Sequence, residues 1–150
     1  MSRVLQSLDD VRPAPRVVAL GTFDGVHLGH RHLITTAVEA GRAAGQRSTV
    51  ATFHPRPISV LVPDRAPDAL CSLARRVALI DELEPDETLV LRFTRELAAL
   101  SAQDFVAEVL VGILTVAHVV VGENWAFGRG RSGSPEVLRG FGAPAVIRGA

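Results

Sequence analysis

Two histidines three positions apart, His27 and His30, close a glycine-spaced stretch, Gly21-Thr22-Phe23-Asp24-Gly25-Val26-His27-Leu28-Gly29-His30. Imidazole N–H groups in such a place can donate to phosphate oxygens while charge builds up on phosphorus. The stretch joins an apolar run to a helical pattern, so both histidines are expected at or just before a helix N-terminus. Free N–H groups and a partial positive charge there favour a bound anion. Spacing alone leaves two other readings open. A metal site would need a third and fourth ligand, and His54 and Asp24 stand at no recognisable spacing for it. Plain capping of the turn and helix is the other. Gly21, Gly25 and Gly29 let the backbone turn and approach a ligand closely. Asp24 precedes a glycine, as turn residues often do, so a turn role and a ligand contact are both open.

The elements that must position these residues are legible as alternating patterns. Val17-Val18-Ala19-Leu20 is a continuous apolar run, as expected of a strand buried on both faces of a parallel sheet. From His30 to about Gly45, Leu33, Ile34, Ala37, Val38 and Ala44 share one helical face, with Gly45 as C-terminal cap. Residues before Pro15 read as a lead-in. Ser48 to Phe53 is the second expected strand, and His54-Pro55-Arg56-Pro57 opens a loop to about Leu70 in which the two prolines argue against helix. A helix over Ser72 to Leu83, a strand at Thr88 to Leu91, a short turn at Thr94 to Leu100 and a helix capped by Ser101 follow. Val119 to Val121 and Ala145 to Ile147 are the last expected strands, with a loop at Gly122 to Gly133 and a short helix between them. The pattern predicts an α/β fold, a doubly wound parallel sheet of about five strands with ligands at the C-terminal strand ends.

Composition narrows the chemistry. With 150 residues, 47% of them hydrophobic, the chain is expected to be one globular domain. Sixteen basic and sixteen acidic residues cancel, so no global field draws the protein to nucleic acid or membrane, and any phosphate site is local. Every basic residue is Arg, which excludes P-loop and Schiff-base lysines. A single Cys71 forms no internal disulfide, and no apolar run approaches the roughly 18 residues of a membrane span; a cytoplasmic location is expected.

The decapeptide Gly21 to His30 resembles a known family. Its His-Leu-Gly-His is the histidine-x-glycine-histidine signature of the nucleotidyltransferase superfamily, and the whole stretch is similar to that of prokaryotic FAD synthetases, usually the N-terminal half of a bifunctional riboflavin kinase/FMN adenylyltransferase. The resemblance implies a Rossmann-like nucleotidyltransferase domain that transfers AMP from ATP to FMN, with Mg²⁺ accompanying ATP. It implies His27 and His30 as catalytic residues, and Gly21, Thr22, Phe23, Asp24 and Gly29 beside the nucleotide. Enzymatic and non-enzymatic alternatives are another adenylyl- or cytidylyltransferase sharing this loop, and a nucleotide- or flavin-binding chain without catalysis.

Gly128-Arg129-Gly130-Arg131-Ser132-Gly133 matches the dinucleotide fingerprint, but five residues separate it from its strand and no acid follows at about twenty residues. Val121 to Gly133 as a unit instead resembles the second FAD-synthetase signature. On that resemblance Asn124 contacts the nucleotide and Phe127 lies near the flavin ring, with Trp125 where phenylalanine is usual. Arg129 and Arg131 are phosphate-contact candidates. Phe53-His54-Pro55-Arg56-Pro57 resembles a phenylalanine-acid-proline-histidine-proline loop with two departures, His54 and Arg56, of which Arg56 suits the flavin phosphate. Residues 1–150 are expected to be an FMN adenylyltransferase domain incomplete at its C-terminus. The family's serine-serine-threonine-x-x-arginine segment and riboflavin kinase domain are absent from this sequence.

Overall fold

Apolar and β-branched runs become the strands. The computed structural model describes residues 3–65 and 68–122 and the backbone of 146–149. In chain order the elements are β1 (Arg3–Leu5), β2 (Arg16–Gly21), α1 (Leu28–Ala44), β3 (Arg47–His54), α2 (Pro57–Leu61), α3 (Leu73–Asp81), β4 (Glu87–Arg92), α4 (Arg95–Ala98), α5 (Ala102–Asp104), β5 (Val116–Gly122) and β6 (Val146–Gly149). The chain continues from α5 as a π-helical segment, Phe105–Ile113. The six strands pair in parallel in the order β1-β4-β3-β2-β5-β6.

This order is the doubly wound sheet expected, with one strand more. From β2 the chain steps outward through β3 to β4, then crosses back to β5 on the other side of β2. Crossovers therefore leave β2 and β5 in opposite directions, and the crevice between their C-terminal ends is the topological switch point where such sheets bind ligands. Alternation along β2 feeds two cores. Val17 and Ala19 meet Ile34, Ala37 and Val38 of α1 and Ile80 of α3, while Val18 and Leu20 meet Phe105, Val106, Val109 and Leu110 on the opposite face. Full burial of a side chain such as Ile34 contributes about 1.5–3 kcal/mol.

Local signals end the helices where expected. Gly45 adopts the left-handed conformation at φ 68° after α1, and the Ser72 and Ser101 hydroxyls accept from the N–H groups of Arg75 and Asp104.

Two expectations need correction. The lead-in contains β1, whose Arg3 to Leu5 align with Glu87 to Leu89 of β4. The proline-rich loop contains α2, because Pro57 sits at the helix start, where its missing N–H costs nothing. At the N-terminal end of the sheet a fully buried Arg16 pairs with Glu87, which also accepts from the Thr49 hydroxyl at 2.7 Å. Among the described residues no helix is long and apolar enough to cross a membrane.

Candidate active site

The loop from Thr22 to His27 joins β2 to α1 at the switch point, and its backbone is left-handed at Phe23 (φ 54°), Gly25 (φ 79°) and Val26 (φ 43°). For non-glycine residues this conformation costs about 1–2 kcal/mol each. Burial of Phe23 and Val26, only 2% and 3% exposed, offsets that cost. The loop buries its two apolar side chains, half-buries Thr22 and Asp24 and leaves His27 exposed.

The first expected hydrogen bond of α1 runs from Arg31 N–H to the His27 carbonyl at 2.9 Å. The N–H groups of Leu28, Gly29 and His30 therefore have no acceptor within the helix. His27 occupies the N-cap position, yet its side chain makes no capping hydrogen bond, so the capping reading does not describe it. Instead its ring stacks on that of His30 with centroids 3.5 Å apart. His30 in turn meets the Phe23 ring edge-on at 5.3 Å, and its buried Nδ1 has no partner among the described residues. Gly29 leaves room beside the stack, since a Cβ there would lie 3.3 Å from His27 Cε1 and the ring would have to shift by a few tenths of an ångström. Burial, and the neighbouring His27 next, lower the His30 pKa from 6.5 to about 4, with Asp24 opposing. At neutral pH His30 is an uncharged ring with one N–H to donate.

Asp24 stitches this loop to the next one. Its Oδ2 accepts from the Leu70 N–H at 3.0 Å and lies 3.8 Å from Arg56 Nη1. The exposed His54 beside this loop has its pKa lowered by desolvation and by Arg76. Thr22 contributes its carbonyl, which accepts from the Thr52 hydroxyl at 2.7 Å and from Arg76 at 3.1 Å.

The structure thus gathers Gly21, Thr22, Phe23, Asp24, His27, Gly29 and His30 at one strand-to-helix junction and brings Arg56 to its side. Asn124, Phe127, Arg129 and Arg131 lie outside the described residues, in the chain that leaves β5 after Gly122. No group of three or more His, Cys, Asp or Glu suited to a metal occurs among the described residues. Sequence reading missed Arg76, although its spacing offered a signal. It stands three residues after Leu73 and four before Ile80, on the apolar stripe itself.

The sequence model of the FAD synthetase family matches residues 10–148. The bifunctional riboflavin kinase/FMN adenylyltransferase of Escherichia coli strain K12 is 35% identical over 143 residues, covering 93% of this chain and 46% of that protein. Its namesake from Bacillus subtilis is 36% identical over 126 residues, 83% of this chain and 40% of the relative. The chain spans about half the length of the curated relatives it matches. Among solved structures, one described as a macrolide-efflux protein from Streptococcus pneumoniae superposes with a TM-score of 0.81 at 26% identity, over 99% of this chain and 50% of the other. A universal stress protein from Archaeoglobus fulgidus, with a TM-score of 0.54 at 19% identity over 92% of this chain and 94% of that one, shares the fold alone. With its His-x-Gly-His loop at the switch point of a doubly wound sheet and a family match across nearly its whole length, the chain belongs to the FAD synthetase family.

Proposed function

We propose that this chain transfers AMP from ATP to FMN, giving FAD and pyrophosphate. The observation that carries the reading is the stacked His27–His30 pair beside the unsatisfied N–H groups that open α1. A phosphate oxygen of FMN attacks the α-phosphorus of ATP, forming a new P–O bond. The bond from that phosphorus to the bridging oxygen breaks, and its electron pair leaves with pyrophosphate. A phosphate monoester loses its second proton with a pKa of about 6, so the nucleophile is already anionic and no strong base is needed. What remains is in-line alignment and stabilisation of charge. His30, neutral before ATP arrives, donates one N–H, and the triphosphate's negative charge then favours taking up a proton.

Several assignments in this reading rest on the family resemblance: Asn124 at the nucleotide, Phe127 at the isoalloxazine ring, Arg129 and Arg131 at the departing pyrophosphate. Arg56 is suited to the FMN phosphate because it is a cation on the loop beside Asp24. Mg²⁺ would come with ATP, held by phosphate oxygens and water, a mode that needs few protein ligands. A cytoplasmic location and a riboflavin kinase domain in the same polypeptide belong to the same proposal.

The test is FAD formation by the purified protein from ATP and FMN, with CTP and with phosphopantetheine as competing choices. FAD from ATP and FMN alone supports the reading. Turnover only with another pair would replace it with a different nucleotidyltransferase.

A further inference from the structure

Arg76 is 1% exposed, although it lies on a surface helix and makes no close ion pair within the described residues. One nitrogen does its work. Nη1 donates to the Thr22 carbonyl at 3.1 Å, the Thr52 hydroxyl at 2.9 Å and the Phe53 carbonyl at 2.7 Å. The Thr52 hydroxyl in turn donates to the same Thr22 carbonyl at 2.7 Å. These acceptors are not scattered. Thr22 is the first residue past β2, and Thr52 and Phe53 are near the last of β3, so the guanidinium ties two strands together where each is about to become a loop of the site.

We propose that Arg76 is a positioning residue for adenylyl transfer: it clamps the exits of β2 and β3 and thereby sets where His27 and His30 stand relative to Asp24 and Arg56. The inference rests on the function proposed above. Nη1 carries two N–H groups, so the three oxygens share them, one hydrogen lying between two acceptors, and the guanidinium's charge strengthens each contact. Burial lowers the Arg76 pKa while Asp24 and Cys71 hold it up, and an arginine keeps its charge through such a shift. The clamp acts on the histidines through a short path. Thr22 is followed by Phe23, whose ring supports His30 edge-on, and Asp24, which reaches Leu70 N–H and Arg56. Loosening the Thr22 carbonyl releases both contacts at once.

The test compares Arg76→Met and Arg76→Lys in the intact protein. All three bonds come from one nitrogen, so the three donors of a lysine ammonium can replace them, whereas methionine fills the space and donates nothing. Arg76→Met is expected to lower kcat for FAD formation by about 10²-fold, the scale of a misplacement near 1 Å, with KM for ATP and FMN changed by less than about threefold. Arg76→Lys is expected to recover most of that loss. A second readout needs no turnover. The His30 titration followed by NMR should move from about 4 toward 6.5 in Arg76→Met and stay low in Arg76→Lys. Should Arg76→Met fail to fold by circular dichroism, Thr52→Val, which removes one acceptor and its bond to Thr22, is read the same way. Unchanged kcat and an unchanged His30 titration in the folded variant would overturn the clamp, as would a loss confined to KM. Absence of FAD formation by the unaltered protein would overturn the proposed function instead, and the NMR comparison would still decide the role of Arg76.

Discussion

His27 and His30 lie face to face, their planes 25° from parallel, and this contact sets His30 between the His27 ring and the edge of Phe23. Burial and His27 together hold the His30 pKa near 4. The unfolded chain takes up that proton near the ordinary value of 6.5. Below 6.5 the unfolded state therefore binds more protons than the folded one, so the contribution of His30 to stability is present above 6.5 and is lost as pH falls toward 4. His30→Asn should flatten the decline of stability in that window, measured by urea unfolding at several pH values. Equal slopes for both proteins would show that His30 does not titrate as described.

Ligand binding should reverse the shift. A triphosphate at the opening of α1 places negative charge beside the ring and favours the imidazolium. The NMR midpoint of His30 is expected to rise from about 4 when ATP is added, and to stay there when adenosine is added instead. A midpoint indifferent to ATP would put the phosphates elsewhere.

Gly21 and Gly45 separate two ways in which alanine can hurt. A Cβ on Gly21 would come within 2.9 Å of Phe23 Cε1, pushing the ring that supports His30. Gly21→Ala is expected to cost about 1–3 kcal/mol by overpacking and to lower turnover as well. At Gly45 a Cβ meets nothing within 4 Å but the backbone is left-handed, so Gly45→Ala should cost about 1–2 kcal/mol and leave turnover unchanged. Thermal melts beside steady-state rates check both, and a Gly21→Ala protein with full turnover would detach Phe23 from the chemistry.

Arg56 lies 3.8 Å from Asp24, with both side chains mostly buried. If it meets the FMN phosphate, Arg56→Ala should raise KM for FMN by about tenfold, the scale of one charge-assisted hydrogen bond, and change KM for ATP little. Equal rises for both substrates would mean that the loop had lost its shape rather than a ligand contact.

The architecture was legible because its signals are local. The solid apolar run of β2, the serine caps at Ser72 and Ser101 and the left-handed Gly45 each follow from a few neighbouring residues. What escaped depends on partners far along the chain. β1 is three residues long and exists through pairing with β4, which the sequence around Val4 does not announce. Helix α2 was masked by Pro57, a residue that breaks a helix anywhere but at its start. Phe23 and Val26 adopt conformations usually left to glycine, held by burial that only the folded core provides. The burial of Arg16 and Arg76 depends on acceptors from distant segments that only the fold brings together. The His-x-Gly-His junction was plain from types and spacing, whereas the burial and the His27 stacking that lower the His30 pKa exist only in the folded chain.

The most direct measurement is the rate of FAD formation from ATP and FMN by the protein and by its His27→Ala and His30→Ala variants, each checked for fold by circular dichroism. Loss of one oriented donor to the reacting phosphate costs about 10²-fold or more in turnover, and that fall is expected in both variants, with FMN binding retained. Wild-type turnover in both folded variants would contradict the account.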